Sequence, residues 1–430
     1  MREQRIIRFR EYQERFFGEA SLSADEIDRI AHLYGRASAD EEDGSQGRQF
    51  EVEYLPGAGH ARWRVQAQGW VGHIPVTPDL TLVVRPKVPV GNLFRMWEYA
   101  YDLRGVEFPE GLAHSRHLDE LYSQLARNLA TRVLGRARKG FYRDYRSEDD
   151  NLAVVRGRID LRRLARAPWI VNFDCHFQEH TGDVEENRLL AWTLYSIGRS
   201  GICSEDVSPI VRQAYRAVQS FTTLEHYHSS ACRSRQYNRL NGDYEPLHAL
   251  CWFFLANAGP HYQVGEAAMV PFMFSMPELF ELFVARWLTV NAAPGWQFVP
   301  HWTYPIDRVA GLWFDCDLVL NDQDGQPVCV LDTKYKKPPK PATSDIAQVV
   351  AYAEAVGCRD AILLYPSSLD SPLNGSVGGI RVRSLVFDLG DDLQAAGTRL
   401  LQDLSDMLGV PLVEHPAWPE TENCSLGGGR

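Results

Sequence analysis

The chain has 430 residues, of which 45% are hydrophobic and 23% charged, and its formal net charge is −11. This is the composition of a globular protein with room for two or three cores, and the acidic balance excludes a wholesale nucleic-acid coat. No apolar run approaches the roughly 20 residues of a membrane span, and "MREQRIIRFREYQERF" has no secretory signal's apolar stretch, so a cytoplasmic place is expected.

Eight cysteines are scattered without a C-x-x-C pair, as expected of reduced thiols rather than disulfides or structural zinc. Charge is uneven along the chain. Between Arg127 and Arg166, twelve Lys/Arg face five Asp/Glu, a local +7 that leaves −18 for the rest. Such a stretch suits phosphates or an acidic protein, or equally a solvated helical face.

In chain order, residues 1–92 read as a β-rich domain. Strands are expected at 50–55, 62–76 and 80–88, with an acidic loop at 37–47. Residues 93–265 read as mainly helical. Leu118, Leu121, Leu125, Leu129 and Val133 make one face of a helix whose other face carries Arg127, Arg132 and Arg136. Further helices are expected at 184–198 and 243–259, with His176 and His180 in a loop before the first.

From 266 to 410 the elements alternate. A helix over 275–288 opens with Ser275, Pro277 and Glu278, the signature of a capping box. Strands follow at 296–304, 312–320 and 326–336, then a helix over 344–357 capped by Ser344 and stopped by Gly357. Strands at 361–366 and 384–389 and a helix at 391–408 complete the order α-β-β-β-α-β-β-α. Residues 411–430 read as a Pro/Gly-rich flexible tail.

Only six lysines occur against thirty-nine arginines, and four of the six lie within 334–340, in "VLDTKYKKPPK". Strand side chains alternate faces, so Asp332 and Lys334 point to one side. If Asp324 and Gly325 form a two-residue type I′ turn, facing residues sum to 649, which places Asp317 opposite Asp332 and Asp315 opposite Lys334. Facing Cβ atoms lie about 5 Å apart. Two carboxylates there call for a cation, and Mg²⁺, a hard ion commonly held by one or two carboxylates plus waters and phosphates, suits them. Lys334 would orient or deprotonate the attacking water, or stabilise charge on the phosphorane. A lone Asp-x-Lys arises by chance about once in a chain this long. Its weight comes from Asp317, from Glu281 on the preceding helix, and from Gln348 and Tyr352, four apart on one helix face.

Asp317…Asp332-x-Lys334 followed by Gln348-x-x-x-Tyr352, on α-β-β-β-α-β, resembles the PD-(D/E)xK nuclease fold in its RecB-like branch. Together with "LFELFV", "DLVL", "VLDTKYK", "AQVVAYA", "VRGRIDL", "FDCHFQEHTGDVEENRLL" and "NLFRMWEYAYDL", the chain resembles the McrC family, the nuclease subunit of McrBC-type modification-dependent restriction systems. The resemblance implies a multidomain α+β or α/β protein with a C-terminal restriction-endonuclease-like domain that cleaves DNA with Mg²⁺, Mn²⁺ substituting. It implies Asp317 and Asp332 as metal ligands, Lys334 as catalytic lysine, Glu281 as accessory acid, and Gln348 and Tyr352 as supports. Cys316 stands where the broad motif often has Pro, and Asp315 competes with Asp317 as ligand.

The resemblance further implies an McrB-like AAA+ GTPase hexamer as partner and double-stranded DNA carrying modified cytosine as target. No G-x-x-x-x-G-K occurs in this chain. Arg156, Arg158 and Lys336 are candidate contacts to DNA or partner. The two arginines could instead bridge to acids such as Asp160 within the fold. Two other readings are a stand-alone RecB-like repair nuclease and a non-catalytic adaptor that retains the nuclease fold.

Overall fold

The computed structural model describes residues 5–18, 21–35, 48–56, 63–101, 103, 117–159, 161–166, 169, 171–233, 235–259, 262–264, 267–307 and 311–413. The acidic segment 37–47, Asp160 and most of the 411–430 tail lie outside the described residues. The fold is mixed α/β and divides by its internal contacts into two units, Met1–Ser275 and Met276–Arg430.

The first unit begins with β1 (Arg5–Arg10), β2 (Glu14–Phe17), α1 (Ala24–Tyr34), β3 (Phe50–Tyr54), β4 (Trp63–Ala67), β5 (Trp70–Thr77) and β6 (Leu80–Arg85). The segment 62–76, expected as one strand, is two. β4 joins the sheet β2-β4-β3, while β5 joins β1-β6-β5-β12, where β12 is Phe272–Ser275. β12 therefore pairs inside the first unit, C-terminal to the 265/266 boundary drawn from the sequence. The helix α1, missing from the β-rich reading, is set by a capping box: Glu26 N donates to Ser23 Oγ and Ser23 N donates to Glu26 Oε2. Its Ile27, Ile30 and Tyr34 close one core with Phe9, Phe50, Ile74 and Leu82.

The same unit continues with α2 (Val90–Ala100), α3 (Leu118–Lys139), β7 (Asp144–Leu152), β8 (Arg158–Ile159), α4 (Leu161–Arg166), β9 (Phe173–Thr181), α5 (Glu185–Ser200), α6 (Ser208–Gln219), α7 (Glu245–Ala256), β10 (Tyr262–Val264) and β11 (Ala267–Met269). The leucine stripe of α3 is fully buried, as its periodicity requires. One expectation fails here. His176 and His180 lie on a strand, β9, not in a loop, and β9 forms a three-stranded sheet with β7 and β8 inside the helical region. β7 is mostly exposed and its polar sequence lacks the alternation that marks a half-buried strand, whereas in β9 Phe173, Cys175 and Phe177 alternate with polar residues before the exposed Gln178–His180 end.

The second unit runs α8 (Met276–Asn291), β13 (Gln297–Asp307), β14 (Leu312–Asn321), β15 (Pro327–Thr333), α9 (Thr343–Val356), β16 (Asp360–Tyr365), β17 (Asn374–Val377), β18 (Ile380–Val386) and α10 (Leu393–Leu408). A six-stranded sheet has the order β13-β14-β15-β16-β18-β17. β13 to β15 form an antiparallel meander, and β15, β16 and β18 run parallel, as the crossover through α9 demands. The short β17 is the strand the sequence reading lacked.

The expected I′ turn is not what joins β14 to β15. Asp322 Oδ1 accepts from Asp324 N and Gln326 N, so the turn starts earlier, and only Gly325 (φ 75°) takes the left-handed conformation. An irregularity between Leu320 and Asn321 then restores the expected register, with Leu318 opposite Leu331 and Val319 opposite Val330. The α9 cap is also different. Ala342 precedes the helix without a side-chain cap, and Ser344 lies inside it, while Gly357 (φ 87°) ends it as expected. Among the described residues no helix is long and apolar enough to cross a membrane.

Candidate active site

β15 delivers Asp332 into the sheet's interior, where it is fully buried and pairs in register with Leu363 of β16. β15 ends at Thr333, so Lys334 stands just past the strand rather than within it, its backbone N donating to Leu364 O. The Lys334 ammonium lies 2.6 Å from Asp332 Oδ2 and donates to Gln348 Oε1 at 3.2 Å. Gln348 Nε2 in turn donates to Tyr352 Oη at 2.8 Å. The Tyr352 ring packs edge-on against Phe314 of β14 at 5.3 Å, which ties the α9 face to the strand that carries Asp317.

The β14–β15 ladder stops at Leu318–Leu331, one step before Asp317 would meet Asp332. There the Asp317 side chain replaces the ladder: Thr333 N and Thr333 Oγ1 both donate to Asp317 Oδ2 at 2.7 Å. These bonds fix the carboxyl plane and leave Oδ1 outside the pair. Asp315 is exposed two residues away, in register with Thr303.

Burial, then the Asp317 charge, pushes Asp332 up from 3.8 to about 7 against the opposing pull of Lys334. Burial lowers Lys334, but Asp332, with Asp317 and Asp345, more than offsets it, and the net shift is upward. The net upward shift favours the charged ammonium. Glu281 of α8 is pushed up to about 8 by burial, then by Asp317 and Asp315, which places it in the same carboxylate cluster.

Three further residues belong to this neighbourhood. His301 has φ 50°, rare for a residue with a side chain, and its Nδ1 lies 3.4 Å from Glu281 Oε1. Asp345, buried in the first turn of α9, pairs with Lys336 at 2.6 Å. Buried Tyr365 has its pKa raised by burial and by the Asp345 and Asp332 charges. Asp345 was legible as three residues before Gln348 and hence near its helix face. His301 and Tyr365 left no signal in local spacing. The Asp345 pairing also changes the reading of Lys336, which is engaged within the fold.

The expected arginines lie in the first unit. Arg127 pairs with Asp206, Arg132 Nε donates to Asn128 Oδ1 at 2.8 Å, and Arg136 pairs with Asp243 at 3.4 Å, so each of the three has a polar partner within the unit, although Arg136 Nε itself is buried without one among the described residues. Arg156 stacks over Phe177 at 4.0 Å and meets Glu179, an acid within the fold, at 3.6 Å, which is the internal bridging that the sequence allowed. Arg158 is exposed on β8, opposite His176. Between them Gly157 has φ 69° and a Cβ there would fall 2.4 Å from His176 O, so only glycine fits.

Among the described residues no three His, Cys, Asp or Glu side chains form a ready-made metal cage. Mg²⁺ does not need one, since one or two carboxylates plus waters and substrate phosphates are its common ligands. The fit rests on Asp332 Oδ1, a fully buried oxygen with no hydrogen-bond partner among the described residues, beside the Asp317 carboxylate. A buried, unsatisfied anionic oxygen is costly unless a cation meets it.

A family model described as "McrBC 5-methylcytosine restriction system component" matches residues 65–366, well over half of the chain. No curated protein matches the chain. Among solved structures, one chain of the refined half-complex from a tetradecameric assembly of Thermococcus gammatolerans McrB AAA+ hexamers with bound McrC superposes with a TM-score of 0.56. It is 17% identical, and the match covers 93% of this chain and 100% of that one. At that identity the likeness shows the fold alone. The cryo-EM structure of the Thermococcus gammatolerans McrBC complex matches at 18% identity over 67% of this chain and 88% of that one, and its TM-score of 0.43 is too low to carry an argument.

Proposed function

Since the chain belongs to the McrBC 5-methylcytosine restriction system component family, we propose that it is the McrC-like endonuclease subunit of such a system, hydrolysing DNA phosphodiester bonds. The observation that carries this reading is the continuous set Asp332–Lys334–Gln348–Tyr352, with Asp317 anchored beside it on Thr333. Asp-x-Lys at a strand end, an acid on the neighbouring strand and a supporting helix are the elements of a PD-(D/E)xK domain, which we place in the second unit, from Met276 to about 410 rather than from 266.

Asp317 and Asp332 would hold Mg²⁺, or Mn²⁺ in its place, which when bound supplies charge neutralisation at the phosphate and a more acidic water. The chain's own groups do the rest. Lys334, kept protonated by the carboxylates, donates to a phosphate oxygen or to the incoming water and offsets the charge that builds on the phosphorane. Gln348 holds the ammonium in place, and Tyr352 holds Gln348. Glu281 keeps a proton on its carboxyl near neutral pH and can donate it in a hydrogen bond to a substrate oxygen.

The chain lacks a G-x-x-x-x-G-K phosphate loop, so nucleotide-driven work falls to a partner. We assign that role to an McrB-like AAA+ GTPase hexamer in the cytoplasm, which would also recognise modified cytosine in double-stranded DNA. The first unit is the natural docking part. Its β7–β9 region carries Tyr145, Val154, Val155, Leu161, Trp169 and Val171, all at least half exposed, close in sequence to Arg156 and Arg158. The test is reconstitution of this chain with the AAA+ subunit, GTP, Mg²⁺ and a methylated duplex. Cleavage that needs every component supports the assignment. Cleavage by this chain alone points to a stand-alone nuclease, and binding without cleavage points to an adaptor.

A further inference from the structure

The segment after the candidate catalytic lysine, "YKKPPKPA", joins β15 to α9 and holds half of the chain's six lysines. The structure separates these lysines into two kinds. Lys334 faces Asp332 and Lys336 faces Asp345, each at 2.6 Å, so both are engaged by buried carboxylates. Lys337 and Lys340 are exposed and make no ion pair among the described residues. They also sit on a stiff support. Pro338, Pro339 and Pro341 restrict the backbone, and Ser371 N donates to Pro339 O at 3.0 Å, pinning the middle of the segment.

We propose that Lys337 and Lys340 form a phosphate rail: they grip backbone phosphates of the duplex next to the one that meets Lys334. The proposal rests on the nuclease reading of this site and adds to it how the duplex is held. Chain reach sets the scale. At no more than about 3.6 Å per residue, Lys337 lies within roughly 11 Å of Lys334 and Lys340 within roughly 22 Å. Successive phosphates of one strand advance about 3.4 Å along the helix axis, so these reaches span about three and six phosphates. Charge complementarity names the occupant. A chain of net charge −11 has little reason to leave two unpaired lysines beside a carboxylate cluster unless a polyanion arrives there. Ordering a side chain costs entropy, and the prolines reduce the backbone share of that cost in advance. Lysine contacts to phosphate carry no sequence information, as befits a subunit that leaves base recognition to its partner.

The test is fluorescence anisotropy of a short labelled duplex binding to the full chain. Ca²⁺ replaces Mg²⁺ to suppress cleavage, and binding is read across a series of salt concentrations. The Lys337→Gln/Lys340→Gln variant is expected to lower the slope of log K against log salt by about 2, close to one per lost phosphate contact. Lys337→Arg/Lys340→Arg is expected to keep the wild-type slope, since the charge remains. An unchanged slope in the Gln variant overturns the rail. If that variant instead weakens binding to the AAA+ subunit, the lysines serve a protein contact and the rail is again overturned. The two readings fail separately. Wild-type cleavage with an unchanged variant slope sinks the rail and spares the nuclease, whereas a lowered slope with no cleavage by the reconstituted complex does the reverse.

Discussion

Lys334 and Gln348 belong to different elements, a strand end and a helix, yet the ammonium donates to the amide oxygen at 3.2 Å. The bond turns a helix-spacing motif into a support for the lysine, because Tyr352 holds the same amide from its other side. Gln348→Ala is therefore expected to slow single-turnover cleavage by roughly 10- to 100-fold, as loss of an orienting hydrogen bond typically does. Tyr352→Phe should slow it less. Neither should shift the melting temperature much, since Gln348 is exposed and the Tyr352 ring contact with Phe314 survives in Phe. A Gln348→Ala chain that cleaves at the wild-type rate would separate the helix from the chemistry.

Replacing Lys334 removes the cation that, among the described residues, pairs with the fully buried Asp332 carboxylate. Breaking a buried pair costs up to about 3–5 kcal/mol when the remaining charge stays ionised, and less when it can take up a proton. Lys334→Met should abolish cleavage and also destabilise the fold. The destabilisation should be larger at pH 9 than at pH 5, read from urea unfolding at the two values. Equal losses at both would mean that Asp332 does not carry the difference.

Without metal, stability should fall as pH rises. Glu281 and Asp332 are raised in the folded chain from 4.5 to about 8 and from 3.8 to about 7. Between pH 4 and 8 the folded state thus binds more protons than the unfolded one, so their contribution is full below the unfolded values and lost through this window. Thermal melts in EDTA should show the decline, and Glu281→Gln should flatten its upper part. A wild-type profile that is level from pH 4 to 8 would contradict it.

Divalent ions should reverse that trend, since they compete with the same protons. Mn²⁺ at about 100 times its Kd adds roughly 2.7 kcal/mol to stability. The gain should be visible at pH 8, small at pH 5, and reduced by Asp317→Asn. Should Asp315→Asn reduce it instead, the exposed aspartate is the ligand.

Much of the site was legible because its spacing is local. Asp332-x-Lys334 and Gln348-x-x-x-Tyr352 each need only strand or helix geometry, and the structure joins them through one hydrogen bond. The β14–β15 register was legible for a partly wrong reason. The turn starts at Asp322 rather than Asp324, and the irregularity beside Asn321 cancels the difference. What escaped the sequence depends on tertiary placement. His301 reaches Glu281 only because its backbone leaves the β region, and Tyr365 nears Asp332 only through the parallel pairing of β16. β9 was missed because its alternation is confined to Phe173, Cys175 and Phe177, and the strand then runs on through the exposed, polar Gln178–His180. The α1 capping box was present in "SADE" but was masked by the β-rich residues around it.

The central claim is that the buried carboxylate of Asp332 takes part in phosphodiester hydrolysis. The most direct measurement is single-turnover cleavage of a methylated duplex by the complex reconstituted with its AAA+ GTPase, GTP and Mg²⁺, comparing wild type with Asp332→Asn. That substitution keeps the side chain's size and removes its charge. The expected result is assembly and GTP hydrolysis at wild-type levels with cleavage reduced by at least about a thousandfold, the scale of one preorganised electrostatic group. Cleavage by Asp332→Asn at the wild-type rate would contradict the account.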